Sequence, residues 1–366
     1  MEANSARPDT AVLSTGPRDV ARQWFNKYGL ILLLLSYPLY YGVKDLSSHQ
    51  HNLTPLANNL FQGLSNGMII GLIAIGYTLV YGIIELINFA HGDVFMIGSF
   101  TASQFWSGIL GVGIAAGTFG TIGAIIASLI VAMLVCGGIN VLIEKVAYRP
   151  LRNAPKLAPL ITAVGMSFIL QNVGLLWLGG SPASVDDLVW AQKTVTSFIG
   201  INIHADDLLA FGVTIPLVIA MVAFITTTRL GKAMRATAQD PEAARLMGIN
   251  VDTTISATFF IGGMMAGAAG LIYALYETTI WYFQGFQGGL LAFTAAVMGG
   301  IGNLRGAVIG GLIIGCIQQI SDNRDHLPFV GFGGPSWTPA VVFAFLVLIM
   351  VFKPTGLFGE ETREAG

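Results

Sequence analysis

Long apolar runs, broken by glycine and small polar residues far more often than by charge, dominate the chain from about residue 28 to residue 353. A helix needs roughly 20 apolar residues to cross a hydrocarbon core about 30 Å thick. By that measure the runs predict spans near 28–43, 58–88, 92–112, 118–143, 157–179, 207–228, 253–278, 286–302, 306–321 and 337–353. The first, eighth and ninth are short, so the expected count is about 8–10. One stretch breaks the pattern: "RATAQDPEAARLMGINVD", Arg235–Asp252, is a polar, helix-forming island between two apolar runs.

Composition sharpens this picture. Only 10% of the 366 residues are charged and 54% are hydrophobic, against about 25% charged in a soluble protein; the mean hydropathy is +0.70. Forty-six glycines in that background suit helices that pack closely in lipid. The expected fold is all-α, a polytopic transmembrane helical bundle. A net charge of -2 without a sizeable basic patch speaks against nucleic acid as a partner and leaves the lipid bilayer as the main one. Cys136 and Cys316 lie in apolar runs and read as small buried hydrophobes, and two cysteines are too few for a disulfide scaffold. Arg7, Arg18, Arg22 and Lys27 precede the apolar run Gly29–Tyr41, and no small-residue cleavage site follows, which reads as an uncleaved anchor helix.

Cytoplasmic loops retain positive charge. With the N-terminus inside, fifteen of the 18 basic residues fall on the inner side, and only Lys44, Lys193 and Arg324 fall outside. Both termini are then cytoplasmic. The same alternation leaves two long outer loops, about 179–206 and 322–336, which carry Asp186, Asp187, Asp206, Asp322 and Asp325. They read as solvated surface or as a docking face for an outside partner.

The orientation puts the polar island, within the loop 229–252, in the cytoplasm. Asp240 is placed to cap a helix, Pro241 suits its first position and Glu242 its positive end. Ala243, Ala244, Arg245, Leu246 and Met247 favour helix, and Gly248 stands where a left-handed stop belongs. So short a helix is unstable alone in water, and Leu246, Met247 and Ile249 offer an apolar edge for packing, against the protein's own inner surface or in a groove of another subunit.

"EAARLMG" resembles the EAA…G coupling element of ATP-binding-cassette importer permeases, with Glu242, Ala243, Ala244 and Gly248 at the matching positions. The segments Gly71–Phe100, Ala292–Gly315 and "KPTGLFG" (Lys353–Gly359) are similar to those of bacterial high-affinity branched-chain amino-acid permeases, and the resemblance runs over roughly 57–360. It implies a permease domain over 57–360; the cytoplasmic extension, added span and outer loop of 1–56 and the extended loop near 322–336 depart from the shorter family pattern, and a short cytoplasmic tail follows at 361–366. It further implies cytoplasmic ATPase subunits as partners, docking on the coupling loop, with a second related permease subunit, an extracytoplasmic solute-binding protein, and residence in the bacterial cytoplasmic (inner) membrane.

"ELINFAHGD" places Glu85, Asn88, His91, Gly92 and Asp93 where one span ends and the next begins, and ionisable groups near membrane depth default to functional hypotheses. A hydrogen-bonded hinge lining the inner gate is the preferred reading; a metal or proton site and a plain structural turn are alternatives. "MGGIGNLRGAVIGG" (Met298–Gly311) breaks the last long apolar region, and broken segments point to transport paths; Thr294, Gly299, Gly300 and Gly302 are placed near such a path. Gly263 with Gly267, Gly306 with Gly310, and Gly311 with Gly315 have helix-contact spacing, expected to serve packing within the chain. Gln171 and Asn172, mid-span, are expected to bond across helices. His49 and His51 read as solvated outer-loop residues.

There is no G-x-x-x-x-G-K-[ST] loop, because "RLGKAM" lacks the first glycine and the final hydroxyl; nor is there a metalloprotease motif, a nucleophile elbow or a dinucleotide fingerprint. The chain reads as no enzyme and as holding no cofactor of its own, with ATP bound by partner subunits. Two functions compete: the membrane subunit of a binding-protein-dependent importer, carrying branched-chain amino acids or a related solute such as urea or amides, and a self-sufficient channel or ion-coupled carrier. A carrier is expected to bury coupling carboxylates near mid-membrane, and the acids here read as lying near a membrane face, which favours the importer.

Overall fold

The computed structural model describes residues 17–47, 53–106, 118–152, 154–155, 157–185, 194–198, 201–323 and 334–359. His49, His51, Asp186, Asp187, Lys193, Arg324 and Asp325 lie outside them. Among the described residues there are twelve α-helices: α1 Pro17–Ser47, α2 Thr54–Ile84, α3 His91–Gln104, α4 Thr118–Ile143, α5 Leu157–Leu178, α6 Ala205–Thr227, α7 Arg229–Gln239, α8 Pro241–Leu246, α9 Val251–Glu277, α10 Gln284–Gly299, α11 Leu304–Asp322 and α12 Thr338–Phe352. Every predicted span contains or overlaps one of these, and the polar island folds as α7 and α8. Sheet among the described residues is confined to two short antiparallel pairs, β1 Ala183–Ser184 with β4 Thr279–Ile280, and β2 Thr194–Phe198 with β3 Ile201–His204.

Among the described residues six helices are long and apolar enough to cross a membrane: α2, α4 with its extension to Leu151, α5, α6, α9 and α11. α3 and α10, at 14 and 16 residues, are shorter than the roughly 20 that a full crossing needs. The expected span 58–88 ends early, at Ile84, because Glu85 turns left-handed with φ 51°. The chain then runs without helix through 85–90 and starts α3 inside the bundle. The continuation of 92–112 past residue 106 lies outside the described residues.

Burial divides the helices into two groups. α2, α3, α9, α10 and α11 form the centre, supplying Leu72, Phe95, Phe259, Ala295 and Ile314 among the buried core. α4, α5, α6 and α12 surround it and turn Ile126, Ile161, Leu176, Ile219 and Val351 outward. A continuous outward apolar surface is what a lipid solvent selects, since burying it against protein gains nothing over burying it in hydrocarbon.

Contact within the centre is made by backbone. A methyl on Gly263 would sit 2.5 Å from Cys136 O, and Gly267 meets Ala132 O more closely still, so α9 packs directly on α4. A methyl on Gly311 would lie 2.6 Å from Gly71 Cα, and Gly315 presses on Gly63 and Gly67, which joins α11 to α2. Gly306 and Gly310 lie against Gly299 and Ala295, which joins α11 to α10. All three glycine pairs therefore serve packing within the chain, as expected. Cys136 is buried and Cys316 half-buried, and neither is in a disulfide.

Gly315→Ala should lower the melting temperature of the purified protein by several degrees, since overpacking costs about 1–3 kcal/mol. Gly165→Ala, on the outward side of α5 with nothing within 4 Å, should leave it level or raise it, because alanine favours helix over glycine by about 1 kcal/mol. A thermal melt in detergent that ranks the two alike would refute the backbone-contact account.

Candidate functional site

The island begins where α6 ends. Thr228 Oγ1 accepts the Gly231 N–H at 3.0 Å and starts α7. Gly231, Met234 and Thr237 recur at three-residue spacing and are the buried face of α7. Gly231 has no room for a side chain against Ile225, and the Arg235 guanidinium donates to Ile225 O in the last turn of α6. A cation there satisfies a carbonyl that the helix leaves open.

Asp240 closes α7 and opens α8. Its Oδ1 accepts the N–H groups of Glu242 at 2.8 Å and Ala243 at 3.0 Å, with Pro241 in the first helical position. Gly248, at φ 83°, ends the turn, and the Ile249 N–H returns to Ala244 O at 3.0 Å. Start and stop agree with the expectation, and of the two readings of the apolar edge, packing of Leu246 and Met247 on the protein's own surface is not what is seen. Ala244 is the buried residue of α8, at 4% exposure, while Leu246 and Met247 stand out at 89% and 82%. Of the expected apolar edge only Ile249 packs inward. The cause is rotation: Leu246 follows Ala244 by two residues, about 200° around the helix. Glu242, Ala243 and Arg245 are exposed beside them.

α9 starts directly after this turn, capped by Asn250, whose Oδ1 accepts the Thr253 N–H at 3.1 Å. Asp252 in its first turn is held by Arg149 at 2.9 Å and Arg152 at 2.5 Å. Arg152 also pairs with Glu144 at 2.8 Å, and the second Glu144 oxygen accepts from Ser256 Oγ at 2.7 Å. Both arginines reach α9 because α4 ends in a wide π turn, Glu144–Tyr148, followed by a 3-10 turn, Arg149–Leu151. The half-exposed Arg149–Asp252 pair contributes little, about 0–1 kcal/mol. The fully buried Glu144 is different, since losing its partner would leave a buried charge uncompensated.

The segment 85–90 is pinned by a polar relay. Asn88 Nδ2 donates to Asn140 Oδ1 at 3.2 Å, and Asn140 Nδ2 donates to Phe259 O at 2.6 Å. Tyr148 Oη lies 3.1 Å from Ile87 O and 3.3 Å from Asn88 Oδ1. His91 is fully buried with its ring edge-on to Tyr77, centroids 4.8 Å apart, in space that Gly76 leaves open. Gly92 abuts the backbone of Gly285 and Gly289 on α10. Asp93 Oδ2 accepts from Ser167 Oγ at 2.5 Å, and Gln171 Nε2 donates to that hydroxyl at 3.1 Å. Asp93 Oδ1 and both His91 nitrogens are buried without a hydrogen-bond partner of good geometry.

Ser167 is the eleventh of the 22 residues of α5, so Asp93 lies at mid-depth in the bundle. This overturns the expectation that the acids all lie near a membrane face; the non-helical entry at 85–90 carries α3 inward before it starts. A cross-helix bond of α5 is made by Ser167, which the sequence did not single out. Gln171 bonds to Ser167 and also reaches Asp93 across helices, as expected, whereas Asn172 bonds within its own helix, to Phe168 O at 2.8 Å, contrary to expectation.

Thr294 is buried in α10 with its hydroxyl bonded to Leu290 O at 2.8 Å; the adjacent Phe293 packs against Tyr77 and Phe89 beside the His91 elbow. Gly299, Gly300 and Gly302 make the α10–α11 turn, the latter two at φ 103° and 95°. Asn303 caps α11 and also donates to Phe358 O at 2.9 Å. Leu357 and Phe358 N–H groups bond to Met298 O at 2.8 Å and Gly299 O at 3.0 Å, so the "KPTGLFG" segment is strapped to the turn. These glycines and the His91 elbow form separate clusters. At the far end of α9 from α8 lies a polar cavity of ≈ 200 Å³ that the sequence did not reveal, built from the middle of α2 and the ends of α9, α10 and α11.

Residues 59–351 match the family model described as the permease component of branched-chain amino acid transport systems. Over 307 residues the chain is 38% identical to the high-affinity branched-chain amino acid transport system permease proteins LivH of Escherichia coli (strain K12) and BraD of Pseudomonas aeruginosa, covering 83% of this chain and 96% of each relative. It is 27% identical over 308 residues to the probable branched-chain amino acid transport permease protein LivH of Methanocaldococcus jannaschii, covering 80% of this chain and 89% of that one. No solved structure matches the chain.

Asp93→Asn and Ser167→Ala should each destabilise the protein, and the double variant should lose less than the sum. Hydrogen bonds to charged groups contribute about 1.5–3 kcal/mol, and directly bonded residues couple in a double-mutant cycle. Additive losses in denaturation would show that the two side chains do not interact.

Proposed function

The chain belongs to the family of permease components of branched-chain amino acid transport systems, and from that premise we propose that it is the membrane-spanning subunit of an ATP-binding-cassette importer. Its cargo is a branched-chain amino acid, or a related small solute such as urea or amides, delivered by a soluble extracytoplasmic binding protein. Cytoplasmic ATPase subunits and a second, related permease chain complete the assembly in a bacterial inner membrane. The basic residues of the sequence support an orientation with both termini inside, which places α8 in the cytoplasm. The permease domain is 57–360, preceded by the extension 1–56 and followed by the tail 361–366.

The observation that carries this reading is the presentation of α8. Asp240 and Pro241 start it, Gly248 stops it, Ala244 seats it on the bundle, and Glu242, Ala243, Arg245, Leu246 and Met247 are left outward. A capped helix that exposes two large apolar side chains on a polar face is suited to insertion in a groove of a partner. ATP is bound and hydrolysed by that partner, since this sequence has no phosphate-binding loop.

In this mechanism closure of the ATPase pair displaces α8. The displacement passes through Gly248 and Asn250 into α9, and through Asp252, Arg149, Arg152 and Glu144 into the end of α4. Asn140 and Tyr148 at that end hold Asn88, so the elbow of Asn88, His91, Gly92 and Asp93 moves with it and acts as the inner gate. Thr294 and the turn of Gly299, Gly300 and Gly302, a separate cluster, are assigned to the translocation path beyond that gate. Work is done only if ATP favours one state over the other, so differential affinity is the requirement and docking alone is not enough. A second reading, an ion-coupled carrier, is favoured by one observation, the buried mid-depth carboxylate of Asp93.

Leu246→Asp with Met247→Asp, like Glu242→Arg, should abolish co-purification of the ATPase from mild detergent and with it ATP-driven uptake. The contact should weaken about tenfold or more, as for central interface residues. Thermal stability of the permease should hold, since exposed substitutions change it by only about 0.5 kcal/mol. A wild-type chain that brings down no ATPase would defeat the importer reading. Asp93→Ala should cut uptake while the ATPase still co-purifies. Uptake that collapses with an uncoupler while ATP is maintained would bring the carrier forward.

A further inference from the structure

The polar cavity is enclosed by α2, α3, α9, α10 and α11. Its polar lining includes two chemically distinct sets of groups. One side is acidic: Glu277 and Asp322, the last residues of α9 and α11. Asp322 accepts a hydrogen bond from Thr338, and neither carboxylate forms an ion pair among the described residues. The C-terminal ends of two helices add their negative dipole ends to the same side.

The other side is a donor. Gln284 begins α10 and is 2% exposed. Its Oε1 accepts the Trp281 N–H at 3.0 Å, which fixes the amide and leaves Nε2 buried at the cavity wall with no hydrogen-bond partner. A buried donor left without its bond destabilises the fold, so the bundle keeps this group at a cost. The positive end of α10, a helix of 16 residues, lies at the same wall. The rest of the lining mixes apolar residues, among them Ile70, Ile73 and Leu291, with Asn66, Tyr273 and Gln318, whose Oε1 is a further buried group without a partner.

We propose that this cavity is a binding site on the transport path for a zwitterionic amino acid with an aliphatic side chain, its ammonium held by Glu277 and Asp322 and its carboxylate by Gln284 Nε2 and the start of α10. The proposal rests on the importer reading and adds to it a place inside the permease where cargo is recognised. The size agrees: at ≈ 200 Å³ the cavity falls below the roughly 300 Å³ at which drug-sized sites begin. The charges agree as well. A bare carboxylic acid would meet two carboxylates and be repelled, and a bare amine would leave the Gln284 donor unpaired. A free amino acid satisfies both sides at once.

The test uses the whole complex of permease, ATPase and partner permease chain, carrying Gln287→Cys as a reporter. Gln287 lines the cavity and is exposed, so a thiol there should react with a water-soluble methanethiosulfonate. Leucine at about ten times its dissociation constant should slow that labelling about tenfold by occupancy. At equal concentration, 4-methylpentanoate and 3-methylbutylamine, which lack the ammonium and the carboxylate respectively, should leave it nearly unchanged. Adding Glu277→Gln should weaken leucine protection by about tenfold, the worth of one charge-assisted contact, in a complex that still holds its ATPase.

Equal protection by leucine and 4-methylpentanoate would mean that the cavity is merely apolar, and would overturn the proposal. So would leucine uptake by the wild-type complex with no protection of the reporter. Absence of ATP-driven leucine uptake by the wild-type complex with its binding protein would overturn the importer reading itself, and this inference with it.

Discussion

Two apolar helices that meet in lipid gain no hydrophobic free energy, because hydrocarbon tails are as apolar as the side chains they replace. Association has to come from dispersion at short range, and that demands close approach. The seams between α2 and α11, α4 and α9, and α10 and α11 answer this demand by removing side chains altogether. Every other feature depends on those seams. They bring α2, α9, α10 and α11 near enough to enclose a small cavity, and they fix α10 so that Gly92 and Gly76 leave space for the elbow at His91.

The same solvent makes polar side chains expensive inside the bundle, so their distribution carries information. At one end they are fully used: Glu144, Arg149, Arg152, Asp252 and Ser256 bond to one another, and Asn88, Asn140 and Tyr148 form a relay beside them. Deeper in, His91 and one oxygen of Asp93 are left unspent, and at the other end Gln284 is. Satisfied networks hold shape, and unsatisfied buried groups mark places where stability has been given up. His91, Asp93 and Gln284 belong to the central helices α3 and α10, whereas Ser128 on α4, Thr214 on α6 and Thr237 on α7 carry buried unpartnered hydroxyls outside them.

Hydropathy made the helices legible, because a span is a property of some twenty consecutive residues. α8 was legible for a related reason: Asp240, Pro241 and Gly248 act on backbone groups within three residues of themselves. Which face α8 buries was not legible, since Ala244 and Leu246 differ only by a rotation that the bundle decides. Nor was the depth of Asp93. It follows from the break at Glu85 and from a serine 74 positions away, and neither appears in a window of local sequence. The cavity escaped for the same cause, since Asn66, Glu277, Gln284 and Asp322 are dispersed along the chain and meet only because four helices place them together. The family resemblance was legible in its motifs, and the comparisons bear it out over most of the chain.

α9 runs unbroken from Val251 to Glu277, some 40 Å at the helical rise of about 1.5 Å per residue. One end is fused to the α8 turn and the other contributes Glu277 to the cavity. A rod of that length converts a tilt of one degree at its base into about 0.7 Å at its tip. Gln284, on α10, need not follow. A lean of a few degrees at α8 would therefore displace Glu277 by about 2 Å, enough to loosen the proposed grip on a zwitterion without any side chain changing its rotamer.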